Sequence, residues 1–134
     1  MKLVIPGEPV AKARPRFNTK TGVAYTPKKT KSFETLVKEI AYEHFDAPLE
    51  GPIRVDIVFC FQRPKSKMWK KKPMPREWKA TRPDWDNLGK AVCDALNGIA
   101  YRDDGQLVDV RIRKYICSGD EKPHTEIIIE EVEG

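Results

Sequence analysis

The chain has 134 residues, of which 40% are hydrophobic and 34% charged, and its formal net charge is +5. This length suits one domain with its own core, and the composition excludes a membrane protein and argues against a disordered one. Apolar runs stay well short of the roughly 20 residues of a membrane span, and the N-terminal run is too short for a signal peptide, so we expect a cytoplasmic protein.

The first half of the chain predicts a strand, a loop, a helix and a second strand. Residues 2–5 form a short apolar segment that a Pro-Gly pair ends. Turn-forming residues and scattered bases fill residues 9–27, and an amphipathic pattern follows at about 29–45, which predicts a helix. Strict alternation over residues 53–61 predicts a strand with one apolar face.

The second half predicts a helix followed by two strands. An apolar stripe over residues 87–99 is typical of an amphipathic helix. Residues 107–117 and 125–132 have the pattern of strands joined by a turn at 118–123, which predicts a β-hairpin. The predicted order is β-α-β-loop-α-β-β, a single α/β (α+β) domain over residues 1–134 around one mixed sheet.

Positive charge concentrates in residues 63–82, which hold nine bases and one acid, a net +8 that leaves the rest of the chain at −3. Prolines exclude a long helix or a central strand there and predict an exposed loop. A solubilising loop is one interpretation. Trp69 and Trp78 between the lysines favour nucleic-acid contact instead, since bases bind phosphates and aromatic rings stack on nucleobases. The predicted nucleic-acid-binding residues from this loop and the earlier one are Lys12, Arg14, Arg16, Lys65, Lys67, Trp69, Lys70, Lys71, Lys72, Arg76, Lys79 and Arg82.

The cysteines and histidines do not predict a metal site. Cys60, Cys93 and Cys117 are odd in number and lack a Cys-x-x-Cys pair, so they are predicted to be reduced structural thiols. His44 is predicted on a helix surface and His124 at the start of a strand. Structural zinc takes four clustered ligands, and these residues lie in unrelated segments.

Aspartates near the second helix are the candidate metal ligands. An extended backbone after Pro83 would point Asp84 and Asp86 to the same side, where two carboxylates can hold a hard divalent cation. A loop after the helix can return Asp104 toward them. Spacing alone leaves other interpretations open: Asp86 as a helix N-cap, and Asp103 with Asp104 as a plain turn.

Lys90 is the candidate catalytic base or electrostatic group. It follows Asp86 by one helical turn, and Asp94 lies one turn further on the face opposite the apolar stripe. The lysine could neutralise a phosphate or orient or activate a water molecule. The alternative is that these residues form ordinary ion pairs on the helix surface.

One block of sequence closely resembles the RusA family of Holliday junction resolvases. It comprises residues 84–91, residues 94–96 and the pattern Asp103-Asp104-x-Gln106-x-Val108-Asp109. Residues 5–17 look like the N-terminus of family members from phages and prophages of Gram-positive bacteria. The match spans nearly the whole chain and is most specific over residues 84–109. The loop over residues 65–79 is longer than in the best-known member, which affects the junction-binding surface.

The resemblance implies a homodimeric endonuclease that resolves four-way junction DNA by paired nicks in recombination and repair. The family uses Mg²⁺ or Mn²⁺ and no organic cofactor, and its members act at the nucleoid. Its metal-binding aspartates correspond to Asp84, Asp86 and Asp104, and its catalytic lysine to Lys90. Two other functions stay open. One is a less selective phage nuclease that acts on branched DNA. The other is a DNA-binding protein without catalysis, in which the acidic residues only cap helices and form turns.

Overall fold

The computed structural model describes residues 1–12, 16–17, 24–25, 28–68 and 74–133, and of residues 16–17, 24–25 and 28–30 it describes the backbone only. Its strands and helices, in chain order, are β1 Lys2–Pro6, β2 Arg16–Phe17, β3 Ala24–Tyr25, α1 Lys28–His44, β4 Ile53–Phe61, β5 Glu77–Trp78, α2 Trp85–Leu96, β6 Leu107–Ile116 and β7 His124–Glu131. Two 3-10 turns cover Lys65–Lys67 and Asp104–Gln106.

Five of the strands form one mixed sheet in the order β1-β7-β4-β6-β5, and β2 and β3 form a separate ribbon. Strand β4 is parallel to β6 and antiparallel to β7. The mixed sheet with two helices confirms the predicted fold class. His124 begins β7, also as predicted.

The predicted C-terminal hairpin is wrong, because β6 and β7 lie on opposite sides of β4. Helix α2 connects β4 to β6, and a helical crossover of this kind joins parallel neighbours. Strand β4 is the most buried strand of the sheet, with seven of its nine residues in the burial pattern BeBiBBBBB buried. The central position pairs both of its edges and so satisfies its buried backbone groups.

Both helices pack on one face of the sheet. Apolar residues of α1 and α2 join alternate residues of β4 in one core, which confirms the predicted stripes. A Cβ atom on Gly89 would overlap the side chain of Ile112 on β6, so glycine lets α2 approach the sheet closely. In the described ranges the chain forms no helix with the length and apolar character needed to cross a membrane.

Candidate active site

Helix α2 begins immediately after Asp84, two residues earlier than the sequence predicts. Asp84 is the N-cap residue, with extended backbone angles (φ −70, ψ 145), and its carbonyl oxygen accepts from the amide of Leu88 at 3.2 Å. Its carboxylate makes no capping hydrogen bond with the described helix, although that is the usual role of an N-cap aspartate. The side chain is exposed and therefore available to a ligand outside the helix.

Asp86 lies inside the first turn of α2 and is exposed. The N-cap alternative for this residue is therefore wrong. So is the premise that an extended backbone joins the two aspartates, because the backbone is helical from Trp85 onward. A carboxylate in the first helical turn is favoured by the helix dipole. Trp85, between the two acids, is 62% exposed.

A lysine on β6 fixes the turn that leads into Asp84. The ammonium of Lys114 donates to the carbonyl oxygens of Thr81 and Pro83, at 2.7 Å each. Lys79 adds a bond from its ammonium to the Thr81 hydroxyl, at 3.1 Å, and one from its amide to the Lys114 carbonyl, at 3.0 Å. Sequence reasoning missed Lys114. The available signal was a charged residue in phase with the apolar residues Ile112 and Ile116.

Two adjacent acids follow α2, and the side chain of Asp103, unlike that of Asp104, stabilises the turn there. The carboxylate of Asp103 accepts from the amide of Gly105 at 3.0 Å, and the Gln106 side chain accepts from the amide of Asp103 at 2.9 Å, completing a capping box. The same Gln106 donates to the carbonyl oxygens of Leu49 and Gly51. Asp104 is exposed, so its side chain is the one left for chemistry.

Asp104 shares its surroundings with the second half of α2. The pKa of Cys93 is raised to about 11, chiefly by burial and in part by the charges of Asp94 and Asp104. Both acids also contribute to the raised pKa of Tyr101, which burial dominates. The charges of both carboxylates therefore reach the same two side chains, Cys93 and Tyr101.

Lys90 is exposed on α2. Within residues 28–68 and 74–133, no salt bridge of 4.0 Å or less joins it to Asp86 or Asp94; Asp94 instead lies 3.6 Å from the Lys12 ammonium. The interpretation of Lys90 as half of a surface ion pair is therefore not supported by the contacts. Its role in catalysis stays a prediction.

The three predicted metal ligands do not form a group whose ligand atoms all lie within 4.8 Å of one another. Among the described residues, the single group of three potential ligands whose atoms lie within 4.8 Å of one another is Cys60, Cys117 and His124. Exposed carboxylates repel one another, which favours an open arrangement of Asp84, Asp86 and Asp104. A shared metal site on these aspartates stays a prediction.

The predicted nucleic-acid-binding residues differ in how freely they are exposed. Lys65 and Arg82 are exposed, and Lys67 pairs with Glu77 at 3.1 Å while remaining 47% exposed. Lys79 lies 4.9 Å above the Phe61 ring. Predictions on Arg14, on the side chain of Arg16, and on Trp69, Lys70, Lys71 and Lys72 fall outside the described residues.

Two of the predicted nucleic-acid ligands are already paired with acids of the protein. Arg76 binds Glu121 through two nitrogens, at 2.9 and 2.6 Å, and Glu126 at 2.7 Å. Lys12 lies 2.6 Å from Glu34, and this hydrogen bond raises its pKa. These contacts favour structural roles for both cations.

Acids at the start of a helix, beside basic loops on a mixed sheet, define a candidate nucleic-acid enzyme. The family model of the RusA endodeoxyribonucleases matches residues 6–130, and the chain belongs to this family. The resemblance noted from the sequence is thereby confirmed.

Two relatives extend the comparison. The uncharacterized protein YqaN of Bacillus subtilis (strain 168) is 36% identical over 140 residues, covering 98% of this chain and 96% of the relative. The crossover junction endodeoxyribonuclease rusA of Lactococcus phage r1t is 34% identical over 82 residues, covering 60% of this chain and 56% of that protein.

Proposed function

We propose that the protein is a metal-dependent, structure-selective DNA endonuclease that resolves Holliday junctions by paired symmetric nicks, in recombination and repair. Family membership and the phage relative named as a crossover junction endodeoxyribonuclease support this function. The structural observation that carries it is the exposed carboxylate of Asp84, which occupies an N-cap without capping. A purely structural aspartate would be expected to bond to the helix.

Asp84, Asp86 and Asp104 are the proposed metal ligands. They offer only oxygen donors, which suit Mg²⁺ or Mn²⁺ better than a soft metal. Such a cation lowers the pKa of bound water and offsets charge on the phosphoryl oxygens. The capping box of Asp103 and Gln106 would hold the turn that carries Asp104.

Lys90 is the proposed electrostatic partner of the scissile phosphate. It is exposed and lies on α2 one turn after Asp86. Among the described residues, it makes no ion pair with its helix neighbours. An ammonium that is not neutralised by the protein can place its charge beside a phosphate or orient the attacking water.

Exposed bases and tryptophans form the proposed DNA surface. Lys65, Lys67 and Arg82 would contact phosphates. Trp78 is 68% exposed and stacks on Tyr115 with ring centres 4.6 Å apart, so its outer ring face can meet an unpaired base. Trp85 is the second candidate for stacking, because it is exposed between the proposed metal ligands.

A homodimer is proposed because two symmetric nicks need two sites related by a twofold axis. Light scattering after size exclusion would measure it, with and without junction DNA. A monomer that stays monomeric on the junction would contradict paired cleavage by one dimer.

The test compares a synthetic four-way junction with linear duplex of the same sequence, in Mg²⁺, Mn²⁺ or EDTA. We expect junction cleavage that needs the divalent ion, and loss of cleavage without loss of junction binding in Asp84→Asn and Asp86→Asn. Asp46→Asn, at another exposed aspartate, is the matched control. Equal cutting of duplex and junction would indicate a less selective nuclease, and wild-type cleavage by Asp86→Asn would reject the metal assignment.

A further inference from the structure

Three residues that are far apart in the sequence meet at one end of the sheet. Cys60 near the end of β4 pairs across strands with His124 at the start of β7. Cys117 follows the end of β6, and its amide donates to the carbonyl of Phe61 at 2.8 Å. One ligand atom from each of Cys60, Cys117 and His124 lies within 4.8 Å of the others, although the three residues come from unrelated segments of the sequence.

The two sulfurs are shielded from solvent. Cys60 and Cys117 are free thiols with 0% exposure, and they form a small cluster with Val58 that is separate from the main core. Burial raises the pKa of Cys60 to about 12 and that of Cys117 in the same direction. Without a cation the pair is therefore two neutral thiols, and ligation would release a proton from each sulfur to solvent.

The surroundings of His124 are compatible with metal binding. Its Nδ1 lies 2.8 Å from the carbonyl oxygen of Lys122, and its Nε2 lies 2.8 Å from the Glu126 carboxylate. Both neighbours are acceptors, whereas a neutral imidazole has only one N–H to donate. A proton on Nδ1 toward Lys122 is the usual arrangement in metal-binding histidines. With the proton on Nδ1, the lone pair of Nε2 faces the Glu126 carboxylate. Either a second ring proton or a metal cation bound to Nε2 and to the carboxylate would make this contact favourable.

The charged groups nearby do not exclude a dication. Arg76 lowers the pKa of Cys60, but Glu121 and Glu126 both bind this arginine, so two acids offset one base. Arg63, beside Cys117, pairs with Glu77 at 3.4 Å. Lys2 lies 3.6 Å from Glu126 and is 57% exposed, so solvent screens much of its charge.

We propose that Cys60, Cys117 and His124 form a zinc site; Glu126, whose carboxylate lies 2.8 Å from Nε2 of His124 but outside the 4.8 Å group, would have to shift to supply the fourth donor. Two thiolates and an imidazole are a donor set that zinc prefers and that Mg²⁺ does not. Tetrahedral zinc would bring sulfur and nitrogen ligands to roughly 3.5 Å from one another, so these ligand atoms, which lie within 4.8 Å of one another, would move closer on binding. The site is distinct from Asp84, Asp86 and Asp104.

Such a site would help to hold the ends of the basic segment at residues 63 and 75. Arg63, which is 3% exposed, donates to the carbonyl oxygen of Cys117 at 2.8 Å, and it also donates to the carbonyl of Pro75. A metal that holds Cys117 therefore holds, through Arg63, both ends of the segment between residues 63 and 75.

Cobalt is the probe that distinguishes this site from a site made of aspartates, because thiolate ligands give Co²⁺ an intense charge-transfer absorption. Titrating the reduced full-length protein with Co²⁺ should give this band at one equivalent, and Zn²⁺ should displace it. Cys60→Ser, Cys117→Ser and His124→Gln each remove a ligand and should weaken cobalt binding by more than the roughly 10- to 100-fold that loss of an outer-shell partner causes. Cys93→Ser, on α2 across the sheet, should retain the band.

The double variant Asp84→Asn, Asp86→Asn should also keep the band, so the zinc site and the proposed nuclease site can fail independently. His124→Gln, at a partly exposed position, replaces the cysteine variants if they do not fold. Three results would reject the proposal: a folded, reduced wild-type protein with no band, a band that survives in Cys60→Ser, or a disulfide between Cys60 and Cys117 in protein purified under reducing conditions.

Discussion

The ammonium of Lys114 lies 2.7 Å from the carbonyl oxygen of Pro83, the residue before Asp84. Lys114 pairs with Phe59 on β4, in the register of the strand that faces the helices. A cation in that register is unusual, and here it is bonded to two main-chain oxygens of the turn. Strand β6 thereby sets the position at which α2 and its aspartates begin.

We predict that Lys114→Met slows junction cleavage at saturating enzyme by about 10-fold or more, since small displacements of positioned groups have large effects on rate. Methionine keeps the length and apolar contacts of the side chain but cannot donate to the turn. Junction affinity should change by less than about threefold, and Lys38→Met on the exposed side of α1 should be unaffected. An unchanged rate for Lys114→Met would mean that the turn holds its position without this lysine.

The adjacent acids Asp103 and Asp104 offer a matched pair for the same substitution. Asp104→Asn should abolish cleavage and leave the melting temperature near that of the wild type, because its carboxylate is exposed. Asp103→Asn should preserve both, since asparagine caps about as well as aspartate. Single-turnover rates and thermal unfolding measure the two effects. The reverse order of rates would reassign the third metal ligand.

Lys90→Ala should fold, bind junctions and cleave roughly 100- to 1000-fold more slowly, the usual loss for one positioned charge. Lys90→Arg should recover part of the rate, because a planar guanidinium does not reproduce a compact ammonium. Single-turnover kinetics with saturating enzyme separate this effect from binding, and Lys38→Ala is the control. A rate within about threefold of the wild type, under roughly 0.7 kcal/mol of barrier, would remove Lys90 from the mechanism.

Replacing Lys70, Lys71 and Lys72 with alanine should weaken junction binding and flatten its salt dependence. For every lysine–phosphate interaction that the substitutions remove, the slope of log affinity against log salt should fall by about 0.9. Arg76→Gln should leave the slope nearly unchanged, because Glu121 and Glu126 already hold this arginine. Equal slopes for the triple variant and the wild type would mean that these three lysines do not contact DNA phosphates.

The pair of Glu121 and Arg76 predicts a pH dependence of stability. Hydrogen bonding from Arg76 lowers the pKa of Glu121 from its ordinary 4.5 to about 2. A carboxyl with a lowered pKa stabilises the fold above its unfolded pKa and loses this effect as the pH falls through its folded value. Glu121→Gln should therefore lower the free energy of unfolding at about pH 7, by roughly 1–2 kcal/mol.

Denaturant unfolding of Glu121→Gln and the wild type over a series of pH values tests this linkage. The difference between them should shrink from pH 4.5 toward about 2. Glu43→Gln, on the exposed surface of α1, is the control. A difference that does not change with pH would show that the shape of the Glu121 side chain, and not its charge, determines the effect.

The elements that carry their own periodic pattern were predictable from sequence, and the pairing between them was not. Helices α1 and α2 and strand β4 follow local repeats of apolar residues, and the period of each repeat predicts the type of element. Whether β7 pairs with β6 or with β4 depends on burial of β4, far away in the sequence. The meeting of Cys60 and His124 follows from that register and is invisible to spacing.

Charge in the sequence also does not show which acids each cation contacts. The sequence treats Lys12, Arg76 and Lys90 alike as bases near acidic or basic stretches. In the structure the first two are bonded to glutamates, while Lys90 has no such partner in the described part of the chain. Only tertiary contacts separate a cation that holds the fold from one that can meet a substrate.

The central position of β4 has a consequence for synthesis on the ribosome. Among the described strands of the main sheet, β1 pairs only with β7, and β4 pairs only with β6 and β7. Both partners of β4 begin at residue 107 or later. A nascent chain would thus present the apolar strand β4 with two open edges until residues 107 and beyond emerge, and open apolar edges promote aggregation.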